Sequence, residues 1–210
     1  MTKDRVLGII LETKVIAVIR MSDPAKLFRV VEAVKEGGVR AIEITMTTPS
    51  ALEVIRSLAM NRPESSLIGA GTVVDEEAAE AVIQAGADFV VSPVTDFRII
   101  DICRRRDKAV MPGAFSPTEI HTAWKAGADI VKVFPATSLG PKYIKDVLAP
   151  FPGLRLMPTG GVSLENARSF VDAGACSVGI GTALLDPGAI ERGEWETLSR
   201  KAGELIRSLR

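Results

Sequence analysis

Lys132 and Glu43 are the residues of this chain whose types and surroundings could make and break bonds. Lys132 lies in GADIVKVFPA, with Ile130 and Val131 on one side and Val133 and Phe134 on the other. A short β-branched run that follows a glycine and ends in proline predicts a buried strand. An ammonium there is costly unless it is paired or neutralised. A neutral, buried amine at a strand end is what Schiff-base chemistry needs. The same surroundings also suit a lysine that snorkels to water or pairs with a carboxylate. Glu43, in AIEITM, shares one strand face with Ala41 and Thr45, opposite Ile42, Ile44 and Met46. The apolar face suits a covering layer of helices, which turns Glu43 toward the interior. A carboxylate and an amine facing one cavity can divide into proton shuttle and nucleophile. A buried salt bridge that only fixes packing is the alternative.

A third group is glycine-rich: Pro158-Thr159-Gly160-Gly161-Val162 and Gly179-Ile180-Gly181-Thr182. Glycine lets a backbone approach a ligand closely and present free N–H groups. Each pair alone fits an ordinary tight turn; two pairs in the last two units of the chain favour a phosphate site.

The elements that would position these groups repeat along the chain. EGGVRAIEI (36–44), QAGADFVVS (84–92), KAGADIVKV (125–133) and DAGACSVGI (172–180) share a helix end, a glycine stop and a β-branched strand. They recur at intervals of roughly 40–50 residues, each holding about two strand–helix units. Eight strands are predicted, at 15–20, 41–46, 67–72, 89–93, 109–113, 130–135, 154–159 and 177–181. Ser22-Asp23-Pro24, Asp75 and Ser116-Pro117 carry helix-start signals. Near-continuous apolar strands imply a parallel sheet covered on both faces. Eight βα units imply an α/β fold in which residues 1–210 form a single (β/α)₈ TIM barrel, with an extra N-terminal helix over 3–13. An open doubly wound sheet is the alternative. In such a barrel the active site lies at the C-terminal strand ends, and here those ends are polar: Arg20, Glu43 to Thr47, Thr72, Ser92-Pro93, Lys132 to Pro135, Thr159-Gly160-Gly161 and Gly181-Thr182.

Composition excludes several functions. Lys+Arg and Asp+Glu are both 26, so the 210-residue chain has no net charge to draw it to nucleic acid or an anionic membrane. Low aromatic content argues against base stacking. No apolar stretch is long enough for a transmembrane helix, and Glu12 and Lys14 interrupt any signal-peptide pattern. Two cysteines give no disulfide framework, and the expected location is cytoplasmic. With one histidine, His121, a metal site of the zinc type is not expected. His121 is expected on the surface of an outer helix, Arg104 to Arg106 with Lys108 on a solvated helix end, and Trp124 and Trp195 in helix packing. Neither Cys103 nor Cys176 has a neighbouring histidine to make it a nucleophile.

GGVRAIEIT, IGAGTV, FVVSP, MPGAFSPTE, VKVFPA, PTGGV and VGIGTALL occur in this order. The set, spanning about residues 15–186, resembles the 2-keto-3-deoxy-6-phosphogluconate (KDPG) aldolases, some of which also cleave 4-hydroxy-2-oxoglutarate (KHG). The resemblance implies that Lys132 forms the Schiff base and that Glu43 is the general acid/base. It implies that Thr72, Pro93, Phe134 and Thr159 line a pyruvate pocket, and that Gly160, Gly161, Gly181 and Thr182 bind phosphate. Many members carry a substrate-binding arginine four residues after the catalytic glutamate; here that substrate-binding position is Thr47, and Arg20 is expected to take the carboxylate. The implied enzyme is a cofactor-free lyase that takes a keto-acid phosphate and assembles as a homotrimer, without nucleic-acid or membrane partners. The galactonate version of the reaction, a phosphosugar isomerase or epimerase, and a non-catalytic phosphate sensor are the alternatives.

Overall fold

The computed structural model describes residues 1–62 and 65–210. The chain runs α1 (Lys3–Thr13), β1 (Val15–Ile19), α2 (Pro24–Glu36), β2 (Ala41–Thr45), α3 (Ala51–Asn61), β3 (Leu67–Gly71), α4 (Glu76–Gln84), β4 (Phe89–Val91) and α5 (Phe97–Arg105). It continues β5 (Ala109–Met111), β6 (Gly113–Ala114), α6 (Pro117–Ala126), β7 (Val131–Val133), α7 (Gly140–Leu148), β8 (Leu156–Pro158), α8 (Ala167–Asp172), β9 (Val178–Ile180), α9 (Pro187–Glu191) and α10 (Trp195–Ser208). All pairings are parallel.

The strands form an α/β fold of two curled parallel sheets, ordered β5-β4-β3-β2-β1-β9 and β6-β7-β8. β1 to β5 lie side by side in chain order and β9 joins beside β1, without the central reversal that marks a doubly wound sheet, so the doubly wound alternative does not hold. Each of the eight predicted strands is present, with one correction: 109–113 is two strands, not one. Pro112 has no N–H to donate, and the ladder breaks there. On one side Met111 pairs with Val91 of β4; on the other Gly113 pairs with Lys132 of β7. The backbone ladders therefore fall into two sheets rather than one closed ring. The sheets approach again where Thr159 bridges to Gly179 and where the Cys176 N–H donates to the Leu156 carbonyl at 3.0 Å.

Alternation divides the strand residues between two apolar clusters. Ile42, Ile44, Ile68, Ala70, Val90, Val110, Val131 and Val133 pack outward against the helices. Ile16, Ala41, Leu67, Phe89, Ala109, Met111, Ile130 and Met157 point inward and meet Val6, Leu7, Ile9 and Ile10 of α1. The N-terminal helix thus fills the floor of the curled sheets. Fully burying a side chain of this size contributes about 1.5–3 kcal/mol, so these four hold α1 in place. Above this floor the inward positions become polar.

Candidate active site

Glu43 occupies the centre of β2, flanked by Val18 of β1 and Gly69 of β3. It is buried, and neither carboxylate oxygen has a hydrogen-bond partner. Gly71 makes this placement possible, because a methyl group there would collide with the Glu43 carboxylate. Burial drives the Glu43 pKa above the ordinary carboxylate range; the positive charges of Lys132 and then Arg20 act in the opposite direction and do not cancel it.

Lys132 lies in the middle of β7 between Gly113 and Met157, and its N–H donates to the Pro112 carbonyl at 2.9 Å. The residue is buried. Its ammonium sits 4.9 Å from the centroid of the Phe134 ring. The carboxylate of Glu43 forms no hydrogen bond to it, so the pair is not a packing salt bridge. The two groups share a cavity of about 660 Å³ at the C-terminal strand ends.

Arg20, Thr72, Pro93, Phe134, Thr159, Gly160, Gly161, Gly181 and Thr182 all line that cavity. Thr72 does so with φ of 57°, a left-handed conformation that costs a β-branched residue energy and is found at ligand sites. Thr159 is buried with its hydroxyl unpartnered, and Gly179 leaves the space it occupies. Gly160 and Gly161 have φ of 85° and 74°, and at Gly161 any side chain would press on Thr137.

Thr47 is the exception: it is exposed and does not line the cavity. Its hydroxyl instead lies 3.0 Å from that of Thr45, which does. Strand alternation places Thr45 beside Glu43, so the same argument that found Glu43 could have found it. Ser22 and Asp23, recognisable in the sequence only as a helix start, also line the cavity, as do Lys26, Ile190 and Glu191, which belong to no motif.

Neither cysteine offers competing chemistry. Burial pushes the Cys103 thiol up to about 12 and the Cys176 thiol to about 11, which leaves both protonated and unreactive at neutral pH. His121, expected on the surface, is half-buried and stacked on Phe151 with centroids 4.9 Å apart. Among the described residues no three His, Cys, Asp or Glu side chains are placed to hold a metal ion. Nor is any helix among them long and apolar enough to cross a membrane.

Residues 6–201 match the family model for KDPG and KHG aldolase. The 2-dehydro-3-deoxy-phosphogluconate aldolase of Pseudomonas aeruginosa is 36% identical over 197 residues, covering 92% of this chain and 89% of that protein. The 2-dehydro-3-deoxy-6-phosphogalactonate aldolase of Escherichia coli is 34% identical, covering 84% and 87%. The KDPG aldolase of Legionella pneumophila, solved with pyruvate captured as a covalent carbinolamine, superposes with a TM-score of 0.86 at 27% identity, over 94% of this chain and 96% of that one. The chain belongs to the KDPG and KHG aldolase family.

Proposed function

We propose that this chain is a Schiff-base aldolase that cleaves 2-dehydro-3-deoxy-6-phosphogluconate to pyruvate and glyceraldehyde 3-phosphate. The observation that carries the reading is a buried amine and a buried, unpartnered carboxyl group facing one cavity without bonding to each other. Lys132 attacks the keto carbon of the substrate to give a carbinolamine. Glu43, its pKa raised by burial, holds the proton that lets hydroxide leave as water. The resulting iminium draws in the electron pair of the C3–C4 bond. As that bond breaks, the C4 hydroxyl proton passes through a water to Glu43, and the aldehyde departs. Glu43 returns a proton to C3 of the enamine, and water hydrolyses the imine to free pyruvate and Lys132.

Thr72, Pro93, Phe134 and Thr159 shape the pyruvate end of the cavity. Gly160, Gly161, Gly181 and Thr182 offer backbone N–H groups to the phosphate. Arg20 lies near enough for its charge to act on Glu43 and takes the substrate carboxylate. The same imine chemistry serves 4-hydroxy-2-oxoglutarate, and the similarity to the galactonate enzyme keeps that epimer as a second substrate.

We infer a closed architecture as well. Residues 1–210 close into a single (β/α)₈ barrel, supported by the Thr159–Gly179 bridge on one side and the single residue Pro112 between β5 and β6 on the other. Val74, Val94 and Phe115, on βα connections, and Phe97, at the start of α5, are exposed apolar residues. They suit an interface of a homotrimer, working in the cytoplasm.

Borohydride reduction with pyruvate tests the chemistry. A pyruvyl adduct mapped to Lys132, and absent from Lys132→Ala, is expected. Folded protein that forms no adduct removes the aldolase reading.

A further inference from the structure

Three basic side chains line the cavity: Arg20, Lys26 and Lys132. Lys132 is buried beside Phe134, and the charge of Arg20 is felt at Glu43, so both serve the keto-acid end. Lys26 lies elsewhere, in the first turn of α2, where its ammonium is 2.7 Å from a carboxylate oxygen of Glu191 at the end of α9. The two helices flank the Gly181-Thr182 connection, since β1, which precedes α2, pairs with β9, which precedes α9. A salt bridge thus spans the cavity mouth beside the glycine backbone.

We propose that Lys26, held in readiness by Glu191, is the cation that selects phosphorylated substrates; the inference rests on the aldolase reading above. Backbone N–H groups orient a phosphate but carry no net charge, and a chain with zero formal net charge supplies no general field to concentrate an anion. A local cation must do so. The side chain of Lys26 is 32% exposed and that of Glu191 is 73% exposed, so the carboxylate remains well hydrated when the bridge opens. Asp23, the other acid nearby, is already engaged by the N–H groups of Ala25 and Lys26 at 2.9 and 3.2 Å. An entering phosphate dianion therefore replaces Glu191 as the partner of Lys26. Without a phosphate, Glu191 neutralises the mouth.

The test is calorimetric binding of glycerol 3-phosphate to the wild type, Lys26→Met, Lys26→Arg and Glu191→Gln. Lys26→Met keeps the apolar stem and should weaken binding about tenfold, the scale of one charge-assisted contact. Lys26→Arg should restore it, and Glu191→Gln should tighten it about threefold by removing a competing surface charge. Unchanged affinity in Lys26→Met, or wild type that binds no glycerol 3-phosphate, overturns the assignment. Pyruvate trapping on the wild type reports separately on the aldolase reading. A normal adduct with Lys26-independent binding discards the Lys26 role alone, whereas a missing adduct discards the aldolase.

Discussion

Glu43 places function and stability in opposition. A carboxyl group whose pKa is raised by folding contributes stability only while it stays protonated, and that contribution is lost as pH rises. Glu43→Gln should therefore have a higher melting temperature than wild type at neutral pH. The gap should close as pH falls below about 4.5, the ordinary value for the group. The same variant should lose about 10²–10⁴-fold in kcat, the usual scale for a general acid/base. Melting curves across pH, with steady-state rates, check both; a variant less stable at neutral pH contradicts the assigned sign. Glu43 and Lys132 could be singled out in the sequence because a charge inside an apolar strand is costly unless it is paired or neutralised. Lys26 and Glu191 were not, since each is an ordinary charged residue on a helix and their pairing joins distant parts of the chain. Thr47 was expected in the site because it replaces an arginine of the resembled family; a threonine is too short to reach where an arginine would.

At the scale of elements, the recurring Gly-Ala-Asp phrase acquires a physical reason. Asp88 accepts from the Ile68 N–H at 3.0 Å, and its own N–H donates to the Ile68 carbonyl at 2.7 Å. Asp129 treats Val110 the same way, at 3.0 and 3.1 Å. Each aspartate, at the entry to a new strand, grips a residue of an earlier one, Ile68 of β3 and Val110 of β5. Asp88 is also buried against Arg62 at 2.6 Å. Asp88→Ala leaves the Ile68 N–H without a partner and the Arg62 guanidinium with the Ala59 carbonyl in place of a countercharge, and should cost about 3–5 kcal/mol in denaturant unfolding. Ile10→Ala should open a cavity between α1 and the strand floor and cost about 2–5 kcal/mol by the same measurement. A loss below about 1 kcal/mol would mean that α1 is not part of the core. The repeat revealed these elements through glycine stops and β-branched runs. It concealed the break at Pro112, because composition shows where a strand can form and not which neighbours it bonds. The side-chain grip of the aspartates was hidden for the same reason.

The whole molecule separates its tasks between the two ends of the strands: an apolar floor sealed by α1, and a polar rim that carries the cavity. The proposed trimer places an interface on the exposed apolar side chains of that rim. Phe97→Glu with Phe115→Glu should convert the assembly to monomers in sedimentation velocity, and an unchanged particle size would move the interface elsewhere. The architecture was legible as alternating βα units, and the pairing of first and last strands follows from the barrel those units imply; the division into two ladders between β5 and β6 needed the structure. That pairing, Ile16 with Gly179, is reinforced by the Val178 N–H donating to the Lys14 carbonyl at 2.8 Å. During biosynthesis β1 emerges early and β9 late, so one edge of β1 stays open through most of translation. An open strand edge is a template for pairing with a neighbouring chain. A nascent chain stalled before β9 would expose that edge to neighbouring chains on the same polysome, with the side of the cavity formed by Gly179, Gly181 and Thr182 still unmade.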